Sequence, residues 1–252
     1  MDLAQFGLLA GAGLLAGGIN SVAGGGSLVS FPALLAAGYP GVAANVTNTV
    51  ALWPGYLGSV VGFRPELVGQ GRRSIVFSVT SVVGAVVGCV LLLATPGKVF
   101  DALVPGLVLA ACALLAAQPW AARLVARHSA AGASGWHGLW LHSGLFVGGV
   151  YGAYFGAGLG VMLLGILGVF VPERLTKVNA VRAVLSLVIN TVALLVFALF
   201  GPVRWDAVAV MATASLLGGY LGARVARRLS PTVLRIVVVT FGVAVAAVLA
   251  LR

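Results

Sequence analysis

The sequence predicts an all-α protein: a polytopic membrane helix bundle of two inverted-topology repeats, each a glycine-broken re-entrant helix pair followed by three transmembrane helices. Three observations predict it. Hydrophobic residues make up 61% of the 252 and charged residues 8%, against roughly 25% charged in soluble domains. So few polar groups cannot clothe a water-facing exterior. Apolar runs fall at 3–22, 27–37, 42–63, 74–95, 99–118, 137–155, 159–171, 176–200, 205–223 and 233–251. Open sheet edges are untenable in lipid, so these runs are helices, and the alternation of barrel strands is absent. Thirdly, the chain repeats: shifting it by 131 lays Gly17, Gly18, Gly25, Leu28 and Asn48 on Gly148, Gly149, Gly156, Leu159 and Asn179.

The elements follow in order. Run 3–22 opens Met1-Asp2-Leu3-Ala4-Gln5, without the positive residues that begin a signal peptide, and is expected to remain as structure. It ends at Asn20 and Ser21, just before Gly24-Gly25-Gly26. Run 27–37 is too short to span, since a crossing helix needs about 20 residues; its Ser27 is placed to cap a helix or to donate to a ligand. Run 42–63 carries Asn45, Asn48, Thr49, Tyr56 and Ser59 near one helical face. Runs 74–95 and 99–118 contain Cys89 and Cys112, whose separation points to buried small hydrophobes rather than to a disulfide or a metal site. Ala130 to Gly135 reads as a linker, dividing the chain into repeat one (1–128), linker (129–136) and repeat two (137–252). In the second half Tyr151 and Tyr154 precede Gly156-Ala157-Gly158, the short run 159–171 follows, and run 176–200 carries Asn179, Arg182, Ser186 and Asn190.

Charge sets the topology. If each broken pair enters and returns to one side, 12 of the 15 Lys and Arg fall on that chain's cytoplasmic side and three, Lys98, Arg204 and Arg252, on the other. If each pair made one net crossing, the split would be about 8 to 7. The positive-inside rule selects the first arrangement, which inverts one half relative to the other and puts both termini outside the cytoplasm.

Inverted repeats with broken helices are the layout of secondary transporters, with substrate held where the breaks meet. Glycine allows close backbone approach, and exposed N–H groups at a helix start favour an anion. The candidate substrate-binding residues are Asn20, Gly24, Gly25, Gly26, Ser27, Asn48, Thr49, Tyr151, Gly156, Gly158, Asn179, Arg182 and Ser186. The plainer alternatives are close helix packing for the glycines and interhelical hydrogen bonding for the polar stripes. For Arg182 the alternative is snorkelling to the cytoplasmic surface; a helix beginning near Glu173 sets it about 13 Å deep.

Other chemistry is disfavoured. The five acids, Asp2, Glu66, Asp101, Glu173 and Asp206, stand at segment ends or in loops, Asp101 least securely, so no embedded carboxylate is expected to bind Na⁺ or relay protons. His142, inside an apolar run, reads as a packing or hydrogen-bonding residue. No catalytic constellation, metal cluster or phosphate loop is found, which argues against an enzyme and against a metal or other cofactor. The net charge of +10 punctuates apolar runs and reads as topology, not as nucleic-acid binding. A passive anion pore on the same fold and a non-transporting assembly subunit stay as alternatives.

Gly18-Ile19-Asn20-Ser21-Val22-Ala23-Gly24-Gly25-Gly26-Ser27-Leu28, with Phe31-Pro32-Ala33-Leu34 and Ala44-Asn45-Val46-Thr47-Asn48, resembles the first-repeat signature of the TauE/SafE sulfite-exporter family, the TSUP permeases. Gly149 to Gly158, then Lys177-Val178-Asn179-Ala180 and Asn190, looks like its partner motif. The likeness covers roughly 18–62 and 148–206. It implies a bacterial inner-membrane transporter of sulfur-containing anions such as sulfite or organosulfonates, often an exporter. The implied partners are a small anion and the lipid bilayer; a second copy, in a homodimer, is a further candidate partner. Two departures stand out: Thr49 and Ala183 occupy positions where relatives often carry Lys, and Arg182 is placed to compensate for the second.

Overall fold

A computed structural model describes residues 2–22, 25–121, 123, 137–171, 173–225 and 231–250. Gly24 and the predicted linker at 129–136 lie outside the described residues. Among the described residues ten helices follow the ten apolar runs to within three residues at either end: α1 (Leu3–Val22), α2 (Ser27–Ala36), α3 (Gly41–Gly62), α4 (Gly71–Ala94), α5 (Gly97–Ala116), α6 (His137–Tyr154), α7 (Leu159–Phe170), α8 (Leu175–Phe200), α9 (Trp205–Val225) and α10 (Pro231–Ala250). A 3-10 turn, Arg64–Leu67, joins α3 to α4; its Pro65 holds the fixed φ that suits so short a turn, and four residues carry too little periodicity to be read from sequence.

Local chemistry sets the ends. Asp2 accepts from the Gln5 N–H at 2.7 Å while Gln5 accepts from the Asp2 N–H at 3.1 Å, a reciprocal cap on α1. Pro40 and Pro96 precede α3 and α5. Gly158, at φ 76°, begins α7, a left-handed backbone that excludes most other residues.

Leu3–Asn20, α4, α5 and α8 are long and apolar enough to cross a bilayer. Their outward faces stay apolar: Val79 and Val83 on α4 and Leu199 on α8 are 61, 53 and 75% exposed. In water such faces would be costly at roughly 25 cal/mol per Å²; in lipid they are the appropriate solvent. Phe31, Leu34, Leu52, Phe100, Leu145, Leu163 and Phe197 fill the interior.

Each short helix folds back along its predecessor. Gln5 Nε2, at the start of α1, donates to the Ala37 carbonyl just beyond α2. In the second half Gly152 meets Leu159, Gly148 meets Leu163 and Gly144 meets Ile166. The long helices pair across the halves: α1 with α9 and α4 with α6, then α3 with α9 and α4 with α8, while α3 meets α8 and α5 meets α10. Glycines permit the first two contacts. A Cβ on Gly17 or Gly218 would overlap the Ser215 or Leu14 carbonyl oxygen, and one on Gly84 or Gly88 would overlap that of Phe146 or Val150. Small residues drive association in lipid by exactly such backbone approach.

Ionic groups gather at the two ends of α3. Beyond its C-terminus Arg73, at the start of α4, meets Glu173 at 3.3 Å, and Lys177 meets Glu173 at 3.5 Å. At its N-terminus Arg204 lies 5.4 Å over the Tyr39 ring, Tyr39 donates to Asp206 at 3.2 Å, and the Arg204 N–H donates to Thr47 Oγ1 at 3.0 Å. With 22 residues in α3, these clusters stand about 33 Å apart at 1.5 Å per residue, close to the thickness of the hydrocarbon core.

Candidate functional site

The first glycine break is held by Asn20. Its Oδ1 accepts from the Gly26 N–H at 2.8 Å, so its Nδ2 faces away, buried and without a partner. Gly26 presses on the Ala16 carbonyl, and a Cβ on Gly25 would meet Leu115 of α5 at 3.1 Å. Ser27 opens α2 at 8% exposure. One turn on, the Ser30 hydroxyl reaches the Gly26 carbonyl at 3.2 Å and Asn48 Oδ1 of α3 at 2.5 Å.

Tyr56 joins this break to the second half. Its hydroxyl lies close to Ser27, Asn190 and Arg182. Pro54, two residues earlier, removes an N–H from mid-α3. Arg182 is half-buried, and its Nε is shielded from solvent without a partner. Asn190 Nδ2 donates to the Ser186 carbonyl at 2.8 Å, and both residues are buried. Ser27, Asn190 and Arg182 thus converge on one phenol, within reach of the Asn20 break.

The second break is organised differently. Gly156 and Gly158 have φ of 75° and 76°, and Tyr151 donates its hydroxyl to the Ala157 carbonyl at 2.5 Å. A Cβ on Gly158 would meet the Ala111 carbonyl oxygen at 3.3 Å. Both breaks therefore abut one stretch of α5, at Ala111 and at Leu115. Phe31 of α2 meets Phe155 edge-on at 5.4 Å, and Asn45 Nδ2 donates to the Tyr154 carbonyl at 2.8 Å.

Of the residues expected from sequence, Asn20, Gly25, Gly26 and Ser27 stand at the first break, with Asn48 tied to it through Ser30. Tyr151, Gly156 and Gly158 form the second. Arg182 comes from α8 to the side of Tyr56, and Ser186, on the same helix, is buried with its carbonyl accepting from Asn190. Thr49 bonds back to the Asn45 carbonyl of its own helix at 3.1 Å. Asn179 is half-buried on the Arg182 stripe. Tyr56 and Asn190 belonged to the polar stripes but not to the expected site; Ser30, in neither, was signalled only by lying one turn beyond Gly26. His142 meets Thr80 at 2.7 Å and stacks edge-on against Phe77, a packing and hydrogen-bonding role. Cys89 and Cys112 are buried free thiols. Among the described residues no three His, Cys, Asp or Glu side chains converge as metal ligands.

The pattern of the family described as "Sulfite exporter TauE/SafE" matches residues 9–249. The chain belongs to the TauE/SafE sulfite-exporter family. Curated relatives point the same way. A probable membrane transporter protein of Haemophilus influenzae is 26% identical over 230 residues, covering 90% of this chain and 87% of the relative. The probable membrane transporter protein ORF9 of a Sinorhizobium species is 29% identical, with 93% and 88% covered. The probable membrane transporter protein YfcA of Escherichia coli K12 is 30% identical, with 86% and 77% covered. No solved structure is significantly similar to the chain. This TauE/SafE protein is a multi-pass membrane transporter and not an enzyme.

Proposed function

We propose that this TauE/SafE transporter moves a small sulfur-containing anion, sulfite or an organosulfonate, out of the cytoplasm across a bacterial inner membrane by alternating access. One observation carries the reading. Asn20 Nδ2 and Arg182 Nε, the two side-chain N–H groups left buried and unpartnered among the described residues, stand around the first break with Ser27, Tyr56 and Asn190. A buried donor without an acceptor is costly; an oxyanion supplies acceptors and a charge opposite to that of Arg182. Asn48, Asn179 and Ser186 extend the polar lining.

The inverted repeat, with repeat one at 1–128 and repeat two at 137–252, is part of this proposal. Exchanging the halves turns the α1–α9 contact into α6–α4 and α3–α9 into α8–α4. The α1–α2 hairpin starts at the Tyr39 and Arg204 end, the α6–α7 hairpin at the Arg73 and Glu173 end. That opposition supports two repeats opening to opposite faces, with both termini outside the cytoplasm. A homodimer is compatible with the exposed apolar faces.

The test is reconstituted transport with Arg182→Ala, alongside thermal shift with sulfite, methanesulfonate, taurine, sulfate and simple carboxylates at fixed chloride. A ligand at 100 times its dissociation constant stabilises by about 2.7 kcal/mol. The expected result is selective stabilisation by a sulfite or sulfonate group, with flux lost in a variant that still inserts. Linear, unsaturable flux would make the protein a pore, and a flat panel with normal Arg182→Ala flux would end the sulfur-anion reading.

A further inference from the structure

Asn20 and Tyr151 occupy equivalent positions under the shift of 131, and each is tied to the residue six places further on. The polarity of the two ties is opposite. Asn20 accepts from the Gly26 N–H at 2.8 Å; Tyr151 donates to the Ala157 carbonyl at 2.5 Å. The Asn20 tie uses the amide oxygen and so leaves a donor over, Nδ2, on a residue 7% exposed. The Tyr151 tie spends the one proton a phenol has.

The surroundings differ in the same sense. Around the first break stand Ser27, Tyr56 and Arg182, whose Nε is also unpartnered. Beside the second, the unpartnered atom is Asn45 Oδ1, an acceptor whose orientation is set by the bond from Asn45 Nδ2 to the Tyr154 carbonyl. An acceptor repels an anion. Among the described residues the remaining orphans, on Ser74, Ser81 and Glu66, lie on α4 and in the 3-10 turn, off both breaks.

We infer that the breaks divide the work: the first alone receives the anion, with Asn20 Nδ2 as a recognition donor, and the second is a hinge whose turn Tyr151 holds. This rests on the anion-transport reading and narrows it to one site per chain, for an oxyanion matched to a single guanidinium. Tyr151 is thus a positioning residue.

The experiment uses the full-length protein in detergent and in proteoliposomes, with sulfite and methanesulfonate as probes. Asn20→Asp keeps an oxygen for the Gly26 N–H but turns the free donor into an acceptor. The expected result is one anion bound per wild-type chain, at least tenfold weaker binding by Asn20→Asp, and binding by Tyr151→Phe within twofold of wild type with a lower turnover. Hydrogen exchange on the wild type gives a readout that needs no variant to fold: the probe should protect the amides of Gly25 to Ser30 and not those of Gly158 to Met162. Two anions per chain, protection at the second break, wild-type binding by Asn20→Asp or equal weakening by Tyr151→Phe would each overturn the division. A folded wild type that binds neither probe would instead remove the anion-transport reading beneath it.

Discussion

Replacing Gly17 by Ala tests whether α1 and α9 are held by backbone contact. A Cβ at this position overlaps the Ser215 carbonyl oxygen and stands 2.8 Å from both the Ser215 carbonyl carbon and Cα. Carbon atoms prefer about 3.5–4.0 Å, so the helices must part by roughly 1 Å. A gap of that size forfeits a quarter to a half of the dispersion well at every contact along the seam, and overpacking of this kind costs about 1–3 kcal/mol. Gly11 is the control: it lies on the same helix and a Cβ there meets nothing within 4 Å. Both variants share the intrinsic gain of Ala over Gly in a helix, about 0.5–1 kcal/mol, so their difference isolates the packing cost. At about 2–4 °C per kcal/mol for a chain of this size, Gly17→Ala should melt roughly 2–12 °C below Gly11→Ala. The buried thiols Cys89 and Cys112 supply the assay, since a thiol-reactive dye lights up as the bundle opens. Equal melting temperatures, or a more stable Gly17→Ala, would refute close backbone packing as the basis of this contact.

Other consequences are quicker to state. Gly158→Ala places a Cβ on a backbone at φ 76°, which should cost about 1–2 kcal/mol and lower the melting temperature without preventing insertion. Glu173→Gln removes both partly exposed ion pairs, to Arg73 and Lys177; the loss should be below about 1 kcal/mol and disappear in melts at about 1 M salt. Burial first, then the Asp206 carboxylate, push the Tyr39 phenol above its ordinary value, with Arg204 pulling the other way. The folded protein therefore holds that proton more tightly, and the stabilisation, complete below about pH 10, is lost as pH rises through the raised value. Melts from about pH 9 to about pH 11 should show wild type losing stability relative to Tyr39→Phe; a constant difference would contradict the assignment.

The helices were legible because a bilayer permits few alternatives: an apolar run must be a helix of nearly fixed length, and the Gly, Pro and charged residues between runs mark its ends. The stripe Asn45, Asn48, Thr49, Tyr56 was legible for the same reason, being a helical spacing. What each side chain does was not. Tyr151 reads as a ligand donor until its hydroxyl is seen on the Ala157 carbonyl, and Thr49 until its own is seen on Asn45. Tyr56 gains its place only because α3 and α8 pack together, bringing Ser27, Arg182 and Asn190 from places far apart in sequence. Nothing in the spacing of Phe31 and Phe155 forecasts that the two breaks meet edge to face. Contacts between halves depend on their mutual docking, about which one strand of sequence carries only the glycines.

The cross-pairing of the long helices bears on how the protein is made. The groove on α1 that Gly13 and Gly17 open is filled by α9, so it stands empty while the ribosome completes more than half the chain. The partner of α4, by contrast, is α6, and arrives earlier. That face of α1 therefore waits for Ser215, 198 residues beyond Gly17 along the chain. A first half alone is an unfinished bundle, with the groove beside Gly13 and Gly17 left unfilled.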